Sequence, residues 1–279
     1  MDAPYARLEP VAPGISRVLA HNPSAFTYYG TQTYLLGTSE VAVIDPGPDL
    51  TEHVDALIEA IAGRPLSAII VTHTHRDHSP AARPLAGATG APIVGCAPLK
   101  MKGSGLEAGF DEDYAPDRVL EDGEAIIVEG DPLTAVATPG HTSNHLCFAW
   151  RGALFTGDHV MGWSTTVVVP PDGDMAQYMA SLDKLRGRDE TVYYPAHGPA
   201  VTNPQQYVRH LIGHRMQREK QIARLIGEQP RAIPDIVANA YPALDPRLVM
   251  AAGASVLAHL LDLERRGLVE RVGETWTAA

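Results

Sequence analysis

Cysteine is almost missing from this chain of 279 residues: only Cys96 and Cys147 carry a thiol. Two are too few for a disulfide framework, and they form no Cys-x-x-Cys pair. No apolar run approaches the ~18–20 residues of a membrane-spanning helix. The opening Met1-Asp2-Ala3-Pro4-Tyr5 has neither the basic segment nor the apolar stretch of a secretory leader. These absences lead to the expectation of a cytoplasmic protein with no membrane partner. Internal repeats and low-complexity tracts are lacking too, and no Gly-x-Ser-x-Gly elbow signals a nucleophilic serine.

Positive charge is scarce. Lys and Arg number 22 against 33 Asp and Glu, for a net charge of −11, which opposes tight, nonspecific binding of nucleic acid over the whole surface. The deficit is uneven, −13 over residues 1–198 and +2 over 199–279. With 45% hydrophobic and 20% charged residues the chain is globular, and its length fits one large or two unequal domains.

Short β-rich runs open the sequence at Gly14–Leu19, Thr33–Leu36 and Val41–Ile44. Leu50–Ala62 has helical apolar spacing, with Asp49 or Thr51 as the expected N-cap. Ala68–Val71 is a continuous apolar run too short for a helix, and so predicts a strand buried on both faces. A helix over Ser79–Ala86 with Pro80 in its first turn and a strand over Ala91–Gly95 follow. Residues 97–118 are rich in Gly, Pro and charge and predict a long loop, either facing the substrate or simply solvated. Further strands are expected at Ala125–Val128, Leu133–Ala137, Leu146–Trp150, Ala153–Thr156 and Thr191–Tyr194, with an amphipathic helix over Asp174–Leu185. Strands in two groups with helices beside them predict layered α/β packing. Beyond Pro204 the pattern turns helical. A long helix over Gln205–Ile226, further helices within Ala232–Leu268 and a strand pair turning at Gly273-Glu274 outline a winged helix. The expected domains are residues 1–198 and 199–279.

The segment richest in chemistry is Thr72-His73-Thr74-His75-Arg76-Asp77-His78, directly after the buried strand. Alternate residues of extended chain share a side, so His73 and His75 can face one point, while Asp77 and His78 at the following turn face a second nearby. Three imidazoles and a carboxylate mix nitrogen and oxygen donors in the way that suits zinc, with iron or manganese as alternatives. Three more candidates each follow a short strand: His141 in Thr138-Pro139-Gly140-His141, Asp158 in Thr156-Gly157-Asp158-His159, and His197 in Pro195-Ala196-His197-Gly198. Polar residues gathered at strand ends are how layered folds assemble a site on one edge. Asp45, ending Val41–Ile44, is placed either to hold the outer nitrogen of a ligating histidine or to serve only as a turn aspartate. His145 and His159, near these ligands in sequence, are candidates for orienting substrate, protonating a leaving group or supporting a ligand. His21, His53 and His259 have no motif around them.

His73-x-His75-x-Asp77-His78, with His141, Asp158 and His197 following in order, resembles the metallo-β-lactamase-fold hydrolase superfamily over about residues 10–200. That resemblance implies an αββα sandwich and two metal sites. His73, His75 and His141 would form the first, and Asp77, His78 and His197 the second, with Asp158 bridging. The tail, from Tyr207-Val208-Arg209-His210 through His214-Arg215-x-x-Arg218-Glu219-x-Gln221-Ile222, is similar to the β-lactamase-like protein 2 subfamily. That subfamily includes an endoribonuclease acting on single-stranded RNA, and its relatives include thioesterases that release polyketides from carrier protein.

A dinuclear site can ready a water for attack at phosphorus or at acyl carbon. The expectation is therefore a metal-dependent hydrolase with two Zn2+, Asp77 also serving to take up a proton. Its first expected substrate is single-stranded RNA, with Arg209, Arg215, Arg218 and Arg224 in favour and the −13 of residues 1–198 against. Those arginines read alternatively as a solvated helix face. A thioester or ester of small-molecule or carrier-bound type is the alternative. A true β-lactamase and a DNA-binding regulator rank below both. A homodimer is left open.

Overall fold

Val41–Ile44 and Leu66–Val71 lie side by side as parallel strands, and the apolar runs that mark them in the sequence are buried on both faces. This is the environment that continuous apolar strands require. The computed structural model describes residues 3–99 and 109–279. It packs as two compact units that interleave along the chain. The first comprises Met1–Thr138, Asn144–Ser164 and Asp189–Pro204, and the second Pro139–Ser143, Thr165–Arg188 and Gln205–Ala279. Along the sequence, then, residues 139–143 and 165–188 group with the C-terminal helices.

The first unit holds two sheets. One runs in spatial order through β1 (Leu8–Ala12), β2 (Ile15–Leu19), β3 (Gln32–Leu36), β4 (Val41–Ile44), β5 (Leu66–Val71), β6 (Ile93–Gly95) and β7 (Arg118–Val119). It is antiparallel up to β4 and parallel from there. Helices α1 (Thr51–Ile61) and α2 (Ala82–Thr89) make the crossovers that parallel neighbours need. The second sheet contains β8 (Ala125–Val128), β9 (Asp131–Ala137), β10 (Leu146–Trp150), β11 (Ala153–Gly157) and β12 (Val192–Pro195), the last pair parallel. Leu36, Ile44 and Ile69 of the first sheet share one buried cluster with Phe148, Trp150 and Phe155 of the second.

Three local expectations change. Leu50 takes the N-cap of α1 without any side-chain bond, in place of Asp49 or Thr51. Helix α2 begins at Ala82, after Pro80, and the Ser79 hydroxyl donates to Asp111 at 3.0 Å instead of joining the helix. Strands β1 and β7 were not foreseen. The first carries Pro10 on an edge, where a proline is tolerated, and the second is two exposed residues long.

The second unit holds α3 (Met175–Arg186), α4 (Pro204–Glu228), α5 (Ile233–Ala240), α6 (Val249–Arg265) and the hairpin β13 (Val269–Val272) with β14 (Thr275–Ala278). Asp174 caps α3 by accepting from the Gln177 N–H at 2.9 Å. Ile222, Ile236, Val256, Leu260, Val269 and Trp276 form its core, giving the winged-helix outline that the sequence predicts. The stretch Pro246–Arg265 has the length and mean hydropathy of a membrane span, but half of it is buried inside the fold, as for the central helix of a small domain.

Candidate metal centre

The site grows from strand ends. Asp45 follows β4, the run Thr72–His78 follows β5, Asp158 follows β11 and His197 follows β12, in the crevice where parallel strands finish and layered folds place ligands. The donor atoms of His73, His75 and Asp158 lie within 4.8 Å of one another, and those of Asp77, His78 and His197 form a second such group. Six of the seven sequence candidates are thus brought into two clusters within the first unit, and His141 lies on a turn of the second. The histidine side chains are buried, while those of Asp77 and Asp158 keep 14% and 12% of their surface.

Spacing within the clusters is that of ligands around a cation. Two donors each ~2.0–2.1 Å from a tetrahedral ion lie roughly 3.3 Å apart. His73 Nε2 and His75 Nδ1 are 3.0 Å apart. His197 Nε2 is 3.1 Å from Asp77 Oδ2 and 3.3 Å from Asp158 Oδ1. His78 Nε2 lies 3.5 Å from Asp77 Oδ2 and 3.6 Å from Asp158 Oδ1. Asp158 therefore belongs to the first group while touching both histidines of the second. His78 Nε2 is buried and makes no hydrogen bond, a cost that a buried imidazole avoids when it binds a metal. The donor set fits a dinuclear metal site and leaves the choice of metal open.

Hydrogen bonds on the outer nitrogens decide which atom of each ring faces the cluster. The Asp45 carboxylate accepts from the Thr72 N–H and hydroxyl, both at 2.8 Å, and from His78 Nδ1 at 2.9 Å. Because the Thr72 hydroxyl donates to Asp45, its oxygen accepts from His73 Nδ1 at 3.0 Å. His197 Nδ1 donates to Gly30 O at 3.2 Å, and His141 Nδ1 to Val167 O at 2.8 Å. In all four rings Nε2 is left for the cluster.

Charge follows the same geometry. Burial alone would raise Asp77, but His78 and His197 beside it outweigh that and hold its carboxyl well below the usual carboxylate range. Burial works against protonation of His78 and His197; the carboxylates of Asp77 and Asp158 reverse it and raise both imidazoles. A cluster that attracts protons this strongly has the negative potential that also attracts a cation.

His145 and His159 are buried and sit behind the ligands. His145 Nε2 accepts the Asp158 N–H at 3.2 Å, so its Nδ1 donates to the Thr138 hydroxyl at 2.9 Å. Its ring centroid is 5.9 Å from that of His159. Of the expected loop 97–118, residues 100–108 lie outside the described residues. The remainder adds one residue that sequence reasoning missed. Phe110 pairs with His75 in an isolated antiparallel bridge, and their rings stack at 5.0 Å. The apolar side chain amid loop residues was the only signal of it.

Known proteins share these features. A family model described as the metallo-beta-lactamase superfamily matches residues 27–197, and another, the beta-lactamase associated winged helix domain, matches 232–276. A beta-lactamase-like protein 2 homolog from Caenorhabditis elegans is 33% identical over 270 residues, which cover 94% of this chain and 88% of that one. An atrochrysone carboxyl ACP thioesterase from Paecilomyces divaricatus is 34% identical over 226 residues, covering 78% and 66% respectively. A beta-lactamase domain protein from Burkholderia ambifaria matches with a TM-score of 0.84 over 100% of this chain and 95% of its own, at 20% identity, a likeness of fold alone.

Proposed function

The chain belongs to the metallo-beta-lactamase superfamily and is a hydrolase of that superfamily, and from this premise we propose that it hydrolyses an acyl thioester with two divalent cations held by seven side chains. His73, His75 and His141 would hold the first, Asp77, His78 and His197 the second, and Asp158 would serve both. The observation that carries the reading is the position of Asp158, grouped with the first set and 3.3 and 3.6 Å from the histidines of the second. Zinc is the metal that these imidazole and carboxylate donors suit best, with iron or manganese as substitutes. When bound, such a pair supplies a nucleophilic water near neutral pH and polarises the bond under attack.

The chain's own groups do the rest. The Asp77 carboxylate, ionised and partly exposed, offers its other oxygen to the attacking water, accepting its hydrogen bond and taking its proton. Asp45, the Thr72 hydroxyl, Gly30 O and Val167 O keep four imidazoles in the tautomer that leaves Nε2 available. His145 has both nitrogens committed, to the Asp158 N–H and the Thr138 hydroxyl, so it does not protonate a leaving group. A thiolate, whose conjugate acid has a pKa of about 8.5, leaves without that help, whereas a ribose alkoxide needs it.

Two of the four arginines that favoured RNA are otherwise engaged. Arg215 is 3% exposed and donates to Thr166 O, and Arg218 donates to Gln221 Oε1 and Ala240 O, both at 2.6 Å, with its guanidinium over the Tyr241 ring. Arg215 is thus withdrawn from solvent, and Arg218 is partly buried and bonded within its own unit. The net −13 of residues 1–198 adds to the case for a thioester over a polyanion.

The test is a substrate panel of thioesters, lactones, β-lactams and single-stranded RNA, run on metal-replete protein with His75→Ala as control. Thioester turnover that His75→Ala abolishes is the expected result. RNA cleavage that weakens with salt, without thioester turnover, would replace it.

A further inference from the structure

The tail motif His214-Arg215-x-x-Arg218 and the winged helix have no part in the chemistry above. What they grip is the five-residue turn that carries His141. Pro139, Gly140, His141 and Ser143 are each held by a hydrogen bond from or to residues 165–188. The Ser181 hydroxyl donates to Pro139 O at 2.7 Å. The Asp174 N–H donates to Gly140 O at 2.9 Å, and His141 Nδ1 donates to Val167 O. Ser143 gives its N–H and hydroxyl to the Asp172 carboxylate at 3.0 and 2.5 Å.

Those anchors are held in turn from the C-terminal helices. Arg215 of α4 donates to Thr166 O, one peptide from the carbonyl that orients His141, and lies over the Tyr178 ring. Arg265, at the last turn of α6, makes a two-pronged ion pair with Asp174 at 2.7 and 3.2 Å. Asp174 is the N-cap of α3 as well as the residue whose N–H fixes Gly140 O. Helix N-cap, ligand turn and winged helix thus meet at one aspartate. A fork of this kind fixes direction as well as distance.

We propose that the winged helix acts as a brace for a metal ligand: Arg265, through Asp174, is a positioning residue for His141. This rests on the reading of His141 as a ligand. The brace acts on the geometry of one metal position, the one that includes His141, and leaves the group Asp77, His78 and His197 untouched. It gives the C-terminal domain a role that requires no nucleic acid.

The experiment is a cobalt(II) titration of the full-length chain, followed by its visible spectrum, with chelator competition for each equivalent. Arg265 is half exposed, so Arg265→Ala is compatible with folding, and Asp174→Asn keeps the backbone N–H and the cap while removing the charge. In both variants one of the two equivalents is expected to weaken about tenfold or more, with the other unchanged and the spectrum of the weakened site altered. Arg265→Lys restores most of the loss. Two tight equivalents retained in Arg265→Ala, or both weakened together in step with a lower Tm, would overturn the brace and leave the dinuclear reading standing. A wild-type chain that takes up no metal overturns both.

Discussion

His78 Nδ1 donates to Asp45 Oδ2 at 2.9 Å, with both side chains buried. Asp45 sits 33 residues before its partner, at a backbone φ of +48° that few side chains other than Asp and Asn adopt without strain. The same carboxylate takes two bonds from Thr72, so one residue orients two imidazoles.

Replacing Asp45 by Asn keeps the backbone shape but removes the charge and turns one acceptor into a donor. Metal affinity is expected to fall about 10–100-fold, as measured by chelator competition. An unchanged affinity would mean that His78 is oriented by something other than Asp45.

Asp77 and Asp158 are the partly exposed donors, with 14% and 12% of their side-chain surfaces open, and of the two Asp77 is the proposed proton acceptor. Asp77→Asn should retain at least one metal equivalent while turnover drops by about 10²–10⁴, the usual share of a proton-accepting group. Metal analysis alongside initial rates separates loss of base from loss of cation. Full activity with both ions bound would remove Asp77 from the proton path.

Burial pushes the His53 imidazole down to about 4, opposed in part by a hydrogen bond with the Pro46 backbone. In the unfolded chain a histidine titrates near 6.5. The unfolded state therefore binds the extra proton between those values, so the stability contribution is complete above about pH 6.5 and is lost as pH falls through 4. Denaturant unfolding of wild type and His53→Gln over this window should diverge by on the order of 3 kcal/mol. Parallel curves would count against a neutral buried ring.

Gly140 has φ +137°, and a Cβ there would stand 2.3 Å from the Tyr178 N and Cα. Backbone cannot move aside as a side chain can. Gly140→Ala is expected to cost about 2–4 kcal/mol in urea unfolding and to weaken the metal position that includes His141. A variant of wild-type stability would show that the turn and α3 are less tightly packed.

Much of this was legible in the primary structure. Val41–Ile44 and Ala68–Val71 declared themselves as buried strands because only apolar side chains survive between two covered faces. The helix over 205–226 and the hairpin turning at Gly273 were equally plain, since amphipathic spacing and a glycine turn are local signals. Caps and edges were not. Leu50 caps α1, and β7 is two residues long, and neither has a pattern that can rise above its neighbours.

For the site, the sequence by itself determined the donor types, their order and the clustering of four of them within six residues. Those depend on covalent spacing alone. Family resemblance pointed to the remaining ligands, but only the tertiary structure shows Asp158 and His197 beside Asp77 and His78, four imidazoles hydrogen-bonded through their outer Nδ1, and Arg215 buried away from solvent. Each of these depends on partners such as Gly30 for His197 and Val167 for His141, which only the folded chain brings within hydrogen-bonding distance.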